Sequence, residues 1–298
     1  WRWELYGLLP AGRKGSEIIM TQLTAGKPLR VFFYTLLIII VLIQIYPIFW
    51  VISSSLKTSE ELVQASYTLP HSFYFGNYIR VLTESKLPLY FLNSIIVAVS
   101  VLLGIVVIGA PVAFAISKLR FKQSKTLMSF FLMGMMIPIF ASLIPMFRIY
   151  NVVGLRNTYL SLILPQIGFN LPISIYLYVG FMKFIPDAIH EAAVIDGAGA
   201  FQVFSRIIFP MSKNTTITVV TYNFVFVWNE FTFANTFMTK SEMKTLPNGL
   251  NDFIGAMGFV DWGATFAAIT LAILPTLVIY FFLNKNVMEG MAAGAVKS

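Results

Sequence analysis

Long apolar runs alternate with short polar connections along the chain, and this alternation is its strongest signal. A helix that crosses a membrane needs about 20 mostly apolar residues. Six runs reach that length, and Glu230 is the one charged residue that they contain. The pattern predicts an all-α membrane protein with six transmembrane helices: Val31–Ile52, Leu89–Ile116, Thr126–Phe147, Asn157–Met182, Asn214–Thr239 and Gly263–Leu283.

The composition supports this class. Of the 298 residues, 57% are hydrophobic and 11% are charged, whereas soluble domains carry about 25% charged residues. A soluble fold of this size could not bury so much apolar surface, because much of any folded surface faces water. A lipid bilayer removes that difficulty.

The basic residues predict an orientation. A net charge of +8 would also suit a nucleic-acid surface. Fourteen of the 21 Lys and Arg residues, however, fall in residues 1–30, 117–125, 183–213 and 284–298, and seven fall in the other connections. By the positive-inside rule, both termini lie in the cytoplasm, and no nucleic-acid partner is expected.

This topology divides the chain into three parts. Residues 1–30 form a cytoplasmic segment, residues 31–283 a six-span domain whose five-span core covers about 89–283, and residues 284–298 a cytoplasmic tail. Residues 1–19 differ from the segments that follow because they contain no long apolar run, and a natural start at Met20 stays open as an alternative.

The third of the predicted cytoplasmic segments, residues 183–213, is much longer than most connections between helices. Asp187 is a good N-cap for a helix with a small, aliphatic face. Gly197 and Gly199 should end that helix, since glycine tolerates left-handed turns. A second helix, Phe201–Ile208, is expected to stop at Pro210. The segment is therefore predicted to form a helix–turn–helix on the cytoplasmic face.

Two interpretations of this helix–turn–helix remain open. One is an amphipathic helix lying on lipid, and the other is a docking surface for a protein with a basic groove. Asp187, Glu191 and Asp196 put acidic groups on the first helix, and anionic lipid would repel them. The charge pattern favours the protein partner.

The same segment resembles the EAA loop of binding-protein-dependent ABC importer permeases. The similarity continues outside it, in Asn93-Ser94, in Met135-Met136-Ile137-Pro138 and in Trp228-Asn229-Glu230-Phe231, and covers the chain from about residue 30 onward. The resemblance implies a type I permease fold with a cytoplasmic coupling helix that docks on an ATPase subunit. The residues implied in docking are Glu191, Ala192, Ala193, Asp196, Gly197, Ala198, Phe204 and Pro210.

The tail points to the sugar-transporting branch of that family. It is similar to the tail of the smaller maltose-type permease, which implies that Gly290, Gly294 and Lys297 contact the ATPase dimer. Many relatives carry an acidic or polar residue where this chain has His190. The role of that position stays open.

The resemblance also implies the partners. They are a second homologous permease forming a heterodimer, two ATPase subunits, an extracytoplasmic substrate-binding protein, a carbohydrate such as an oligosaccharide, and membrane lipid. ATP and Mg²⁺ would bind the ATPases, and no cofactor is expected in this chain. Gly26-Lys27 is followed by Pro28 and lacks the glycine-rich phosphate loop. The expected location is the bacterial cytoplasmic (inner) membrane, with sugar translocated by alternating access.

Glu230 is the candidate for a role in the substrate pathway, together with Trp228 and Asn229. A carboxylate within a span should face protein or water. The alternative is a structural hydrogen bond. No metal site is expected, because the predicted topology puts His71 and His190 on opposite sides of the membrane.

Other function classes fit less well. A secondary transporter or channel working without ATP would need more intramembrane charge than one carboxylate. An ABC permease for a solute other than sugar stays open as an alternative. An enzyme is not expected, because no nucleophile–base or metal constellation is visible.

Overall fold

A computed structural model describes the backbone of residues 27–64, 67–119, 121–253 and 260–295, and side chains within these ranges from Pro28 to Phe282. The regular elements among these residues are helices. The predicted segment 1–30 lies outside the described residues except for its last four. The α-helices are α1 Lys27–Ser55, α2 Ser59–Gln64, α3 Gly76–Thr83, α4 Leu87–Lys118, α5 Ser124–Gly134, α6 Ile139–Val152, α7 Leu160–Met182, α8 Asp187–Ile195, α9 Ala200–Met211, α10 Lys213–Trp228, α11 Thr232–Phe237, α12 Leu246–Gly249 and α13 Trp262–Ala295.

Four of the described helices are long and apolar enough to cross a membrane. They are α1, α4, α7 and the first part of α13, and the bent pair α5–α6 makes a fifth span if its two halves count as one. These helices coincide with five of the six predicted spans.

The centre of the bundle is the pair α4–α7, which makes the most extensive helix–helix contact. Ile105 on α4 and Leu162 and Ile175 on α7 are fully buried. Gly104 permits the close approach, because a Cβ there would lie 2.4 Å from Cδ1 of Ile167. A side chain on this residue would force the end of the Ile167 side chain to move.

The first helix packs differently. The most apolar part of α1 is not buried against the rest of the chain. Its C-terminal end contacts α13, where the rings of Trp50 and Phe266 meet edge to face at 5.0 Å. The remaining apolar surface is of the kind that a bilayer covers.

The predicted third span is not a continuous helix. It consists of α5 and α6, which meet at 90°. Pro138 precedes α6 in an extended conformation, and the backbone N–H groups of residues 135–137 donate to carbonyls three residues back rather than four. Proline lacks an N–H and disfavours helix at the residue before it, so the break falls at this point.

The predicted fifth span is also interrupted. Helix α10 ends at Trp228, and α11 begins at Thr232. The 16 residues of α10 reach about 24 Å at 1.5 Å per residue, which is less than the hydrocarbon core of about 30 Å. The interruption lies beside Glu230.

Two local predictions for the long inner segment were wrong. Pro186 is the N-cap of α8, and Asp187 is the first helical residue. Helix α9 continues through Pro210 to Met211 rather than stopping at the proline. A π-helical turn at Phe204–Ile208 precedes Pro210. In a π-helix each N–H bonds to the carbonyl five residues back instead of four, so the hydrogen-bond pattern just before the proline differs from that of a regular α-helix.

Candidate functional site

The turn after α8 is closed by the backbone itself. The N–H of Gly197 donates to the carbonyl of Val194 at 3.0 Å, and the N–H of Ala198 donates to the carbonyl of Ala193 at 2.9 Å. This is the Schellman arrangement, which needs a residue with positive φ after the helix. Gly197 has φ +84°. The helix therefore ends sharply and the chain turns directly into α9.

The α8–α9 segment (residues 187–211) presents large apolar side chains to its surroundings. Ile195 is 86% exposed and Phe201 is 78% exposed. The predicted docking residues divide into two groups. Glu191, Ala192, Asp196, Gly197 and Pro210 are exposed, whereas Ala193, Ala198 and Phe204 are buried or half-buried.

Phe204 fixes the segment to the helix bundle. Its ring lies 5.4 Å from that of Phe114 on α4 and 5.6 Å from that of Phe209. Aromatic pairs at this distance add to the energy of burial. Phe204 therefore contacts the core of the helix bundle and holds the outward-facing residues in place.

A buried lysine makes a second connection between α4 and α8. The side chain of Lys118 is 2% exposed, and its Nζ lies 2.8 Å from a carboxylate oxygen of Asp187. The same Nζ donates to the carbonyl of Ile185 at 2.5 Å. A buried charge is tolerated when it is paired and hydrogen-bonded, as here. The start of α8 is thus tied to the last turn of α4.

A cavity of about 440 Å³ lies where the two interrupted spans meet α7. We call it the interrupted-helix cavity. Irregular backbone at membrane depth is tolerated only where it is buried in protein or lines a cavity. The lining residues are Gly134, Met135, Ile137, Ile139, Gln166, Phe169, Asn170, Ile173, Tyr222, Phe226, Asn229, Glu230, Phe231, Thr232 and Phe233.

Glu230 has a structural contact and a place in the cavity wall. One carboxylate oxygen accepts the N–H of Phe233 at 2.6 Å, and the other accepts the N–H of Ala234 at 3.2 Å. These bonds satisfy N–H groups at the start of α11. Asn229 lines the same cavity. Both interpretations given to Glu230 from the sequence therefore have a counterpart in the structure.

Trp228 lies behind the cavity wall. Its side chain is 3% exposed, and its indole N–H donates to the carbonyl of Ala272 at 3.0 Å. Its ring also contacts Phe91 and Phe224. These contacts position α10 against α4 and α13, and Trp228 is not among the residues that line the cavity.

Sequence analysis missed Gln166 and Asn170. Both lie on α7 and line the cavity, and the amide nitrogen of Asn170 donates to the backbone carbonyl of Gln166 at 2.8 Å. An available signal was their position as amides inside an apolar run, because polar groups within spans tend to face a cavity or a partner.

Comparison with known proteins identifies the family. Residues 105–292 match the family described as the inner membrane component of binding-protein-dependent transport systems. The chain belongs to this family. It is therefore the permease component of a transporter, a non-catalytic, multi-pass membrane subunit, as the sequence resemblance predicted.

Individual relatives extend over most of the permease. It is 31% identical to the diacetylchitobiose uptake system permease protein NgcG of Streptomyces coelicolor, over 89% of this chain and 88% of that protein. It is 33% identical to the galactooligosaccharides transport system permease protein GanQ of Bacillus subtilis, over 94% of this chain and 100% of that protein. It is 31% identical to the trehalose/maltose transport system permease protein MalG of Thermococcus litoralis, over 87% of this chain and 94% of that protein.

A solved structure shows the same fold. A chain of a bacterial ABC transporter involved in the import of the acidic polysaccharide alginate superposes with a TM-score of 0.76 at 22% identity, over 87% of the permease and 98% of that chain. This confirms the predicted ABC permease fold.

A shallow cavity of about 490 Å³ lies beside α8 of the permease. His190 contributes to its wall, and the Nδ1 atom of this residue is buried without a hydrogen-bond partner among the described residues. The ring centroid of His190 lies 6.1 Å from that of Phe114. The ring therefore packs toward α4.

The loops predicted to lie outside the membrane are held by ion pairs. Arg80 pairs with Asp261 at 2.7 Å, and Lys86 pairs with Glu242 at 3.1 Å. The backbone N–H groups of His71 and Thr58, which donate to the Glu61 carboxylate, lower the pKa of Glu61 to about 2. The two ion pairs join loops that are far apart in the chain, through side chains that stay partly exposed.

The tail prediction concerns residues that are described only in part. Gly290 and Gly294 lie in the helical backbone of α13. Lys297 and the side chains beyond Phe282 lie outside the described residues. Among the side chains that are described, no group of three or more His, Cys, Asp or Glu could hold a metal ion.

Proposed function

We propose that this permease carries a sugar into the bacterial cytoplasm, as one of two homologous membrane subunits driven by two ATPase subunits. Support for the substrate class comes from relatives named for diacetylchitobiose, galactooligosaccharides and trehalose or maltose. The proposal includes an extracytoplasmic binding protein that delivers the sugar to the outer loops. ATP and Mg²⁺ bind the ATPases. The permease lies in the bacterial cytoplasmic (inner) membrane, with both of its termini in the cytoplasm.

The observation that carries the proposal is the set of exposed side chains on the α8–α9 segment. Ile195 and Phe201 are exposed beside the acidic residues Glu191 and Asp196. Exposed apolar side chains rimmed by polar groups are typical of protein–protein contacts. The acidic charge suits a basic groove on the partner better than an anionic lipid surface.

The contacts of this segment suggest how docking is passed to the membrane domain. Lys118 holds the start of α8 to α4, and Phe204 packs α9 against the same helix. Helix α4 in turn packs along α7, which lines the interrupted-helix cavity. When the ATPases close, movement of α8 displaces α4 and α7 together, in the manner of rigid-body switches. The cavity, with Asn229 and Glu230 in its wall, then opens to one side of the membrane or the other.

A co-purification experiment tests the docking surface. The permease is expressed with its partner permease and the ATPases, and the ATPase recovered with it is measured. Ile195→Glu should lower that recovery by at least about tenfold, because it places a charge at the centre of an apolar contact.

Val152 provides a matched control. It is also β-branched and is 88% exposed, but it lies at the end of α6 away from the segment. Val152→Glu should leave ATPase recovery unchanged. Equal recovery with both variants would contradict docking at α8–α9.

A further inference from the structure

The interrupted-helix cavity brings together two breaks in helices that are far apart in the chain. One break, between α5 and α6, contributes Met135 and Ile137, and the other, between α10 and α11, contributes Asn229 and Glu230. Helix α7 completes the wall with Gln166. In membrane transporters, interrupted helices supply the polar groups of substrate sites, because the backbone and side chains at a break are not committed to helix bonding. The position of the cavity is therefore that of a ligand site.

Gln166 supplies an unused hydrogen-bonding group. Gln166 is 2% exposed, and its Oε1 atom is buried without a hydrogen-bond partner among the described residues. Nearly all buried polar groups in folded proteins are paired, so each exception calls for an explanation. A ligand hydroxyl donating to Oε1 would provide the missing bond.

The remaining wall has the chemistry of a carbohydrate site. Asn170 and Asn229 bring amides, and the rings of Phe169, Tyr222 and Phe226 bring apolar faces. Specific small-molecule sites combine mostly apolar walls with a few polar groups in this way, in volumes of roughly 300–1,000 Å³. The cavity volume of about 440 Å³ falls within that range.

The charge of the wall limits the ligand further. Glu230 is the one charged residue among the described residues that line the cavity, and no Lys or Arg is among them. A carboxylate or sulfonate on the sugar would face Glu230 without a cation to pair with, which is unfavourable at low dielectric. The wall therefore suits an uncharged ligand.

We propose that the interrupted-helix cavity is a binding subsite for an uncharged saccharide within this subunit, and that Gln166 recognises one of its hydroxyl groups. The inference rests on the proposed function, because it names where in this chain the imported sugar is held. Gln166 is the residue that sets specificity for a hydroxyl donor. Asn229, Glu230 and the aromatic rings form the rest of the wall.

Equilibrium dialysis of the purified, assembled transporter, without the binding protein, tests the subsite. The probes are radiolabelled neutral disaccharides (maltose, lactose and N,N′-diacetylchitobiose), with digalacturonate as an acidic competitor. Gln166→Met keeps the volume of the side chain and removes its polar atoms. It should weaken binding of the preferred neutral disaccharide by about tenfold, since it removes one hydrogen bond between the ligand and a buried amide. Digalacturonate should not compete.

Asn223→Leu is the matched control. Asn223 is a fully buried amide on α10, and its Oδ1 also lacks a partner among the described residues, but it does not line the cavity. Affinity should stay within about twofold of the original. If Gln166→Met prevents assembly, Tyr222→Leu replaces it, because Tyr222 is 40% exposed and lines the same wall.

The outcomes separate the subsite from the proposed function. Unchanged affinity in the cavity variants, or an equal loss in Asn223→Leu, overturns the subsite. Digalacturonate competing as well as the neutral disaccharides overturns its preference for uncharged ligands. In each of these cases ATP-driven uptake of a neutral disaccharide by the unmodified transporter in vesicles leaves the sugar-importer function standing. Absence of any saccharide uptake by the unmodified transporter removes that function and the subsite with it.

Discussion

The α8–α9 segment and the interrupted-helix cavity are built in opposite ways. The segment is one continuous stretch, closed by its own backbone at Gly197, and its large side chains Ile195 and Phe201 face outward. The cavity is assembled from stretches around residues 134–139, 166–173 and 222–233, and its polar lining residues come from two of these stretches. A surface for a protein partner can be encoded locally, whereas a ligand site lined by three separate stretches depends on residues that the fold brings together.

This contrast predicts that the two regions affect different measurements. Changes in the segment should alter the sugar moved per ATP hydrolysed and leave saccharide affinity unchanged. Changes in the cavity should alter affinity or local stability and leave ATPase binding unchanged. Saccharide affinity and ATPase binding are to be measured without ATP, so that the rigid-body movement that links the two regions does not occur, and sites that share no contacts then usually act independently. A variant that changes both properties would break the separation.

The largest effect is expected for Gly197→Val. A β-branched residue at φ +84° is strained by about 1–2 kcal/mol, because its Cβ approaches the following carbonyl. The turn should shift and misplace Ile195 relative to Phe201. We expect uptake per ATP hydrolysed in reconstituted vesicles to fall by at least about tenfold.

Gly199→Ala distinguishes backbone strain from loss of space. Gly199 has φ −69° and, like Gly197, has no neighbouring atom within 4 Å of the position that a Cβ would take. Alanine fits this conformation, so coupling should stay near the original value. Normal coupling in Gly197→Val would show that the left-handed turn is dispensable.

A smaller loss is expected for Lys118→Met. The substitution leaves the Ile185 carbonyl without its donor and Asp187 without its cation. A buried group left unpaired costs about 1–3 kcal/mol. The melting temperature and the coupling ratio should both fall, and saccharide affinity should be retained.

Asp187→Asn sharpens this prediction. The substitution removes the counter-charge of the buried Lys118, but it keeps a side-chain oxygen that can accept from Nζ, and the Asp187 side chain is half-exposed, so water can also reach this end of the contact. The effect should therefore be weaker. Equal effects of the two variants would mean that the ion pair itself, rather than burial of the lysine, fixes α8.

The smallest effect is expected for Glu230→Gln. The carboxylate accepts two backbone N–H groups at the start of α11, and an amide keeps one accepting oxygen. The loss should be about 1 kcal/mol, visible as a small fall in melting temperature. Asn229→Ala is the control, since among the described residues the Asn229 amide bonds only to the carbonyl of Val225, one turn earlier. ATPase recovery should be unchanged in both, and a fall in recovery with Glu230→Gln would link the cavity to docking.

The sequence predicted the α8–α9 segment well because its determinants are local. Helix α8 is closed at Gly197 by two backbone bonds, one from the N–H of Gly197 to the carbonyl three residues earlier and one from the N–H of Ala198 to the carbonyl five residues earlier, and glycine is the residue that such a turn favours. Local rules failed at two positions, because they predicted an N-cap at Asp187 and a helix end at Pro210. Lys118 draws the carboxylate of Asp187 away from a capping role, and a π-helical turn lets α9 pass Pro210.

The cavity could not be predicted because hydropathy reports length and polarity but not continuity. The run Thr126–Phe147 is apolar throughout, so the 90° bend at Pro138 leaves no trace in a hydropathy pattern. Trp228 and Glu230 are neighbours in sequence, but one lies in the core behind the wall and the other in the wall itself. Helix breaks decide which residues share a site, and a proline alone does not mark a break, because Pro165 and Pro172 lie within the continuous helix α7 whereas Pro138 follows a break.

Lys118 also sets an order for biosynthesis. Its two partners, Ile185 and Asp187, are 67 and 69 residues further along the chain. While the ribosome is still making that stretch, the ammonium group has no partner, and a dry environment would be costly for it. The end of α4 must therefore stay hydrated until α7 and the start of α8 have been synthesised, and Lys118 is buried only after that part of the chain has packed against α4.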